Sequence, residues 1–73
     1  MLFDLDLVCE DKSGIRSKVR KTVERHGGEV KWISPEFDSK TGRSFLLIRV
    51  TAPAIVPIEK ALRKIGFDVR TEL

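Results

Sequence analysis

Carboxylates, one thiol and one imidazole are the side chains of this sequence that could take part in catalysis. Asp4 and Asp6 lie on one face of a predicted strand, about 7 Å apart at the usual rise of a strand. Such a pair can act as general acid and base or hold a cation. No histidine, second acidic cluster or glycine-rich loop converges on it, so we expect both carboxylates to lie on a solvated sheet face.

The single cysteine and the single histidine favour structural roles. Cys9 is expected on the core-facing side of the first strand, where no positively charged partner is predicted to activate it as a nucleophile. His26 ends the first predicted helix, and core packing or the helix C-terminus accounts for it. One cysteine forms neither an internal disulfide nor a CxxC metal site. We therefore expect a noncatalytic protein with no metal site and no cofactor.

Basic residues are concentrated in one segment. The formal net charge is +3, yet residues 15–26 contain five Lys or Arg and one Glu, a local charge of +4. Four of these side chains could contact nucleic-acid phosphates from one helix face, namely Arg16, Lys18, Lys21 and Arg25. A solvated amphipathic face is the alternative interpretation, and the sequence lacks the aromatic motif with which RNA-binding sheets read bases.

Apolar patterning places these candidates on six elements. Strands are predicted over residues 2–10, 30–37, 44–51 and 67–73, with one helix over 15–26 and another from about Pro57 to Gly66. Ser13 or Asp11 is expected to cap the first helix. Right-handed crossovers then place both helices on one face of a four-stranded antiparallel sheet, the ferredoxin-like βαββαβ sandwich of the α+β class.

The predicted sheet leaves one face uncovered and the second strand at an edge. The large side chains Trp32 and Ile33 of this second strand can therefore line an interface. We expect the protein to be a homo-oligomer, dimeric or higher. The chain has 73 residues, 41% of them hydrophobic and 34% charged, which is typical of one small folded domain over residues 1–73. No apolar run is long enough to span a membrane, and the acidic start is unlike a secretory signal, so we expect a cytoplasmic protein.

Three stretches of the sequence resemble the ACT domain, a regulatory module that senses amino acids in many metabolic enzymes and regulators. Residues 5–15 are similar to the family's first strand followed by Asp/Asn-Arg-Pro-Gly-Val/Leu. Residues 27–30 are similar to its turn into the second strand, and residues 61–69 to its last helix and strand. The resemblance covers nearly the whole chain.

The resemblance implies a noncatalytic, allosteric module that binds an amino acid between two subunits and acts on a partner protein. The ligand would lie where the first strand–helix loop of one subunit meets the second strand of its neighbour. Transferred by position, the binding residues are Asp11, Lys12, Ser13, Gly14, Ile15, Glu29 and Val30. A glycine at a helix start lets backbone N–H groups approach a carboxylate, which supports this placement.

Two other functions remain open from the sequence. The first is a nucleic-acid-binding module that uses the basic first helix, and its affinity would fall steeply with salt. The second is a protein–protein adaptor that uses the sheet edge or the open sheet face without a small ligand.

Overall fold

The computed structural model describes residues 1–9 and 12–72. Its elements are β1 (Leu2–Val8), α1 (Ile15–Arg25), β2 (Glu29–Asp38), β3 (Arg43–Thr51), α2 (Val56–Lys64) and β4 (Asp68–Glu72). The strands form one antiparallel sheet in the order β2-β3-β1-β4. The βαββαβ ferredoxin-like fold predicted from the sequence is confirmed. Among the described residues, no helix is long and apolar enough to cross a membrane.

The core lies between one sheet face and both helices. Alternate residues of a strand point to opposite faces, so Leu46, Ile48 and Val50 of β3 all reach the core and are fully buried. They form one cluster with Val19 and Val23 of α1 and with Ile58 and Leu62 of α2. The other face of β3 carries the half-buried Phe45 and Leu47. These two apolar faces are typical of an inner strand, and β3 lies between β2 and β1.

The start of α1 differs from the sequence expectation. The N-cap residue is Gly14, with a left-handed φ of 87° and no side-chain capping hydrogen bond. Ser13 is therefore wrong as the predicted cap, and Asp11 lies outside the described residues. The carbonyl of Gly14 accepts the first helical hydrogen bond, from Lys18 N–H at 3.0 Å. A glycine replaces the side-chain cap because only its backbone adopts this φ without strain.

Both helices end in the same way. Gly27 and Gly66 adopt left-handed φ values of 83° and 105°. The N–H of the residue after each glycine returns to a carbonyl five residues back, Gly28 to Val23 at 3.0 Å and Phe67 to Leu62 at 3.1 Å. These hydrogen bonds satisfy helix-end carbonyls that would otherwise lack partners. The helix ends predicted near residue 26 and Gly66 agree with the structure to within two residues, although α1 ends at Arg25 and leaves His26 exposed.

The strand β2 occupies a sheet edge, as the sequence predicts. Its pairing with β3 contains an irregularity between Val30 and Trp32. Further along β2, Pro35 has no N–H to donate, which an edge strand tolerates. Bulges and prolines reduce indiscriminate pairing of an exposed edge. Any partner strand at this edge must therefore match an irregular ladder.

Candidate functional site

The β1–α1 loop borders a depression of about 290 Å³. Two residues of the predicted binding set, Lys12 and Ile15, line it. The remaining lining residues come from the end of β1, from α1 and from the turn after α2, namely Cys9, Lys18, Ile65, Gly66 and Phe67. We refer to this feature as the loop depression. Ser13 and Gly14 are exposed beside it, and Asp11 lies outside the described residues.

The loop depression combines cationic and apolar surface. Lys12 and Lys18 supply the charge, and Ile15, Ile65 and Phe67 supply apolar area. The N-terminus of α1 opens beside it, and the first turn of that helix contains no acidic residue. Helix N-termini attract anions through their backbone N–H groups and dipole. The arrangement suits a small molecule with a carboxylate at one end and an apolar group at the other.

Glu29 and Val30 lie at the opposite end of the sheet. Glu29 and Leu2 both pair with Thr51, whereas the loop depression begins beyond Val8, at the other end of β1. Six residues of strand separate Leu2 from Val8, which is about 20 Å. Val30 is also buried in the core. One copy of the chain therefore does not bring these two residues to the β1–α1 loop.

The predicted interface residues of β2 point in opposite directions. Ile33 pairs with Ile48 and packs against the core. Trp32 lies on the open face, where its ring is 5.1 Å from the guanidinium carbon of Arg49, a distance typical of a cation–π contact. Only Trp32 is therefore presented on the open sheet face.

Asp4 belongs to a cluster that the sequence did not reveal. Arg49 donates from Nε to Asp4 Oδ1 at 2.8 Å and from Nη2 to Oδ2 at 3.0 Å. This two-point hydrogen bond holds the pKa of Asp4 below its ordinary value of 3.8. The Arg49 cluster, formed by Trp32, Arg49 and Asp4, thus crosses three strands. It leaves Asp4 as an acceptor in an ion pair, in agreement with a structural role.

A second depression, of about 350 Å³, lies at the hairpin end of the open face. Its lining residues are Asp6, Val8, Phe37, Asp38, Thr41, Arg43, Phe45 and Arg70. We refer to it as the open-face depression. Arginines, carboxylates and aromatic rings occur together there, a combination that also suits an amphoteric ligand. Strand alternation could have placed some of these residues on one face, but only the register shows that Asp6 and Arg70 are neighbours.

The four basic residues predicted for nucleic acid are all exposed on α1. One of them, Arg25, lines a groove of about 700 Å³ between α1 and α2, together with Lys60 and Lys64. The lysines of α2 were not predicted to share this groove, because nothing in the sequence shows how closely the two helices lie. Among the described residues, no cluster of histidine, cysteine or acidic side chains could hold a metal ion.

At the level of sequence, no family model matches the chain, and a comparison with curated proteins found no match. Solved structures do share its fold. One is a formyltetrahydrofolate deformylase from Burkholderia mallei ATCC 23344. The match covers 97% of this chain and 27% of the deformylase, with a TM-score of 0.62 and 18% identity. Another is a formyltetrahydrofolate deformylase from Pseudomonas syringae pv. tomato DC3000. That match covers 97% of this chain and 26% of the deformylase, with a TM-score of 0.61 and 23% identity.

A prephenate dehydratase from Staphylococcus aureus Mu50 is also similar. The match covers 96% of this chain and 28% of the dehydratase, with a TM-score of 0.64 and 21% identity. The chain therefore spans about a quarter of the length of each of these enzymes. At this level of identity the likeness establishes the shared fold.

Proposed function

We propose that residues 1–73 form a noncatalytic regulatory module of the ACT type, which binds an amino acid and acts as a homo-oligomer on a partner protein. The observation that carries the proposal is the loop depression, where a helix N-terminus and two lysines lie beside apolar side chains. The βαββαβ fold supports it, since about a quarter of each of the two formyltetrahydrofolate deformylases and of the prephenate dehydratase has the same fold.

Two of the three parts of an amino acid have a counterpart in the loop depression of one copy. Its carboxylate would accept hydrogen bonds at the start of α1, close to Lys12 and Lys18. Its side chain would pack against Ile15 and Phe67, which line the same depression. Its ammonium group needs an acceptor, and none of the described lining residues is acidic. Glu29 of a second copy would supply that acceptor.

The register of the sheet supports a site shared between two copies. Leu7 and Pro35 both pair with Leu46, so the end of β2 is level with the end of β1. In an antiparallel pair of β2 strands, the start of one β2 lies beside the end of the other. A second copy would thus bring its Glu29 toward the end of the sheet where the loop depression lies. Trp32 would lie near the middle of such an interface.

Thermal unfolding with each amino acid in turn tests the proposal. A ligand at 100 times its dissociation constant stabilises the folded state by about 2.7 kcal/mol, a shift of several degrees in a domain of this size. We expect one chemical class of amino acid to raise the melting temperature of the wild-type chain. Lys12→Ala and Glu29→Ala should each lose that shift. Lys40→Ala, which removes an exposed lysine of the hairpin loop, should keep it.

Two results would contradict the proposal. The first is a chain whose melting temperature responds to no amino acid at millimolar concentration. The second is a shift that Lys12→Ala and Lys40→Ala retain equally, because binding would then lie away from the loop depression.

A further inference from the structure

The two helices carry most of the positive charge of the molecule. Five Lys or Arg and one Glu belong to α1, and three Lys or Arg and one Glu belong to α2, which gives the helices a formal charge of +6. The rest of the chain carries −3. Because both helices pack on the same sheet face, the positive charge is concentrated on one side. An acidic partner is attracted to that side.

The groove between the helices has an apolar row along α2. Pro57 and Ala61 of α2 line it together with Ile65, the residue directly after α2. They follow one another at intervals of four residues, so they form one row along the helix face. The side chain of Ile65 is large for an exposed position, with 38% of its surface accessible. Solvent-accessible apolar surface in a groove is favourable for docking another apolar surface. We refer to this feature as the interhelical groove.

Cations border this apolar row on both sides. Lys60 and Lys64 come from α2, and Arg25 comes from the end of α1. None of the described residues that line the groove is acidic. The one acid of α2, Glu59, accepts a hydrogen bond at 3.4 Å from Arg63, which also donates to the carbonyl of Val69 in β4. Its charge is thus engaged on the side of α2 that faces β4.

We propose that the interhelical groove binds an acidic amphipathic helix of a partner protein. An apolar row bordered by cations is complementary to a helix with one apolar and one acidic face, a common mode of helix recognition. Opposite charges across such a surface favour rapid and specific association.

Nucleic acid is the weaker candidate for this groove. Single-strand recognition relies on bases stacked on aromatic side chains. The four Phe and one Trp of this chain lie on the strands or directly before β4, and neither helix has an aromatic residue. The groove offers cations for phosphates, but its apolar row has no counterpart in a phosphate backbone.

This inference rests on the proposed function, because it names the kind of protein on which the regulatory module acts. The interhelical groove and the loop depression share one lining residue, Ile65. All other lining residues differ, so substitutions at the lysines of α2 leave the loop depression intact. Helix binding and amino-acid binding can therefore be measured separately on the same variants.

Fluorescence anisotropy with a labelled synthetic peptide tests the inference. The probe is a glutamate-rich peptide with leucines at intervals of three and four residues, measured at low and at physiological salt. The test variant is Lys60→Glu/Lys64→Glu. The matched control is Lys40→Glu/Arg43→Glu, which changes the net charge equally but lies in the hairpin loop and at the start of β3. Circular dichroism should show that both remain folded, because all four substituted residues are exposed.

We expect the test variant to raise the dissociation constant at least about tenfold, or about 1.4 kcal/mol. The control should change it by less than about twofold, the range of a distant surface charge. A peptide with serines in place of leucines should bind about tenfold more weakly than the probe.

Four outcomes would overturn the inference: no binding of the probe, equal losses in the two double variants, equal binding of the serine peptide, or tighter binding of an oligonucleotide at the same salt. If one of these outcomes occurs while an amino acid still raises the melting temperature of the chain, the proposed function is not contradicted. If the peptide binds but no amino acid raises the melting temperature, the result would support helix binding at the interhelical groove and contradict the proposed amino-acid site.

Discussion

Among single residues, Arg49 connects the side chains of three neighbouring strands on the open face of the sheet. Its guanidinium forms two hydrogen bonds with Asp4 of β1 and lies over the Trp32 ring of β2. The side chain of Asp4 is only 29% exposed and that of Arg49 38%, so the pair is partly shielded from solvent. An arginine with both a carboxylate and an aromatic neighbour is held in one orientation. The Arg49 cluster therefore fixes how three neighbouring strands present their open face.

The Asp4–Arg49 pair predicts a specific pH dependence of stability. The hydrogen bonds from Arg49 lower the pKa of Asp4 from 3.8 in the folded state. A lowered folded pKa stabilises the protein above the ordinary pKa, and this contribution is lost as the pH falls through the folded pKa. Asp4→Asn should therefore be less stable than wild type at neutral pH, and the difference should shrink in acid below pH 3.8.

Urea unfolding of both proteins between neutral pH and strong acid measures this effect. Arg49→Gln serves as the partner control, because it removes the same pair from the other side. The double variant should lose less stability than the two single variants together. A difference between wild type and Asp4→Asn that stays constant down to strong acid would contradict the assignment.

Among the secondary-structure elements, the packing of α1 against α2 depends on Gly28. A Cβ atom added there would lie 2.8 Å from both Ile58 Cδ1 and Val23 Cγ1, which is shorter than atoms can approach. Ile58 and Val23 are both fully buried. The absence of a side chain at Gly28 thus lets the end of α1 pack directly against α2.

Gly28→Ala should destabilise the chain by about 1–3 kcal/mol, the usual cost of overpacking a core. Ile58→Val alone should cost about 0.5–1.5 kcal/mol, because it removes one buried methyl group. In the Gly28→Ala background the same substitution removes one of the two clashing atoms, so it should cost less or restore stability. Denaturant unfolding of all four proteins gives the coupling, and strictly additive losses would contradict the proposed contact.

Elements were more predictable from the sequence than the contacts between them. Apolar patterning that includes Leu46, Ile48 and Val50 predicted a strand over residues 44–51, which the structure shows as β3, because strand side chains alternate between faces. The predicted helix ends near residue 26 and Gly66 lie close to the observed ones, where Gly27 and Gly66 adopt a left-handed φ that few other residues reach. The cap at Gly14 was missed because a nearby serine satisfied the usual side-chain pattern. The sequence pattern predicted a side-chain cap at Ser13, whereas in the structure α1 begins at Gly14 through its left-handed backbone conformation.

Contacts between distant segments were not predictable. The Asp4–Arg49 pair joins residues 45 positions apart, and it depends on the register between β1 and β3. The interhelical groove depends on where Lys60 and Lys64 lie relative to Arg25, which no local pattern reports. For the loop depression, the sequence named Lys12 and Ile15 but not Lys18, Ile65 or Phe67, because three separate elements contribute its walls.

Ligand binding and self-association should be coupled at the level of the whole molecule. If Glu29 of one copy completes the loop depression of another, the ligand binds the oligomer more tightly than the single chain. By mass action, the amino acid that raises the melting temperature should then also shift the chain toward the oligomer. Sedimentation velocity at low protein concentration, with and without that amino acid, measures the shift.

Glu29→Ala is the matching variant for this coupling. It should reduce the effect of the ligand on the sedimentation coefficient, while the unfolding free energy without ligand stays within about 0.5 kcal/mol of wild type, as for other exposed positions. An unchanged ligand effect in Glu29→Ala would show that the site is complete within one copy.

The most direct test of the central claim is an NMR titration of the ¹⁵N-labelled chain with the amino acid that raises its melting temperature. A ligand in the loop depression should shift the amide signals of residues 12–18 and of Gly66 and Phe67. Signals of Glu29 and Val30 should move with them, because a neighbouring copy closes the site. Shifts confined to the open-face depression, at residues such as Arg43 and Arg70, would contradict the claim that the β1–α1 loop holds the ligand.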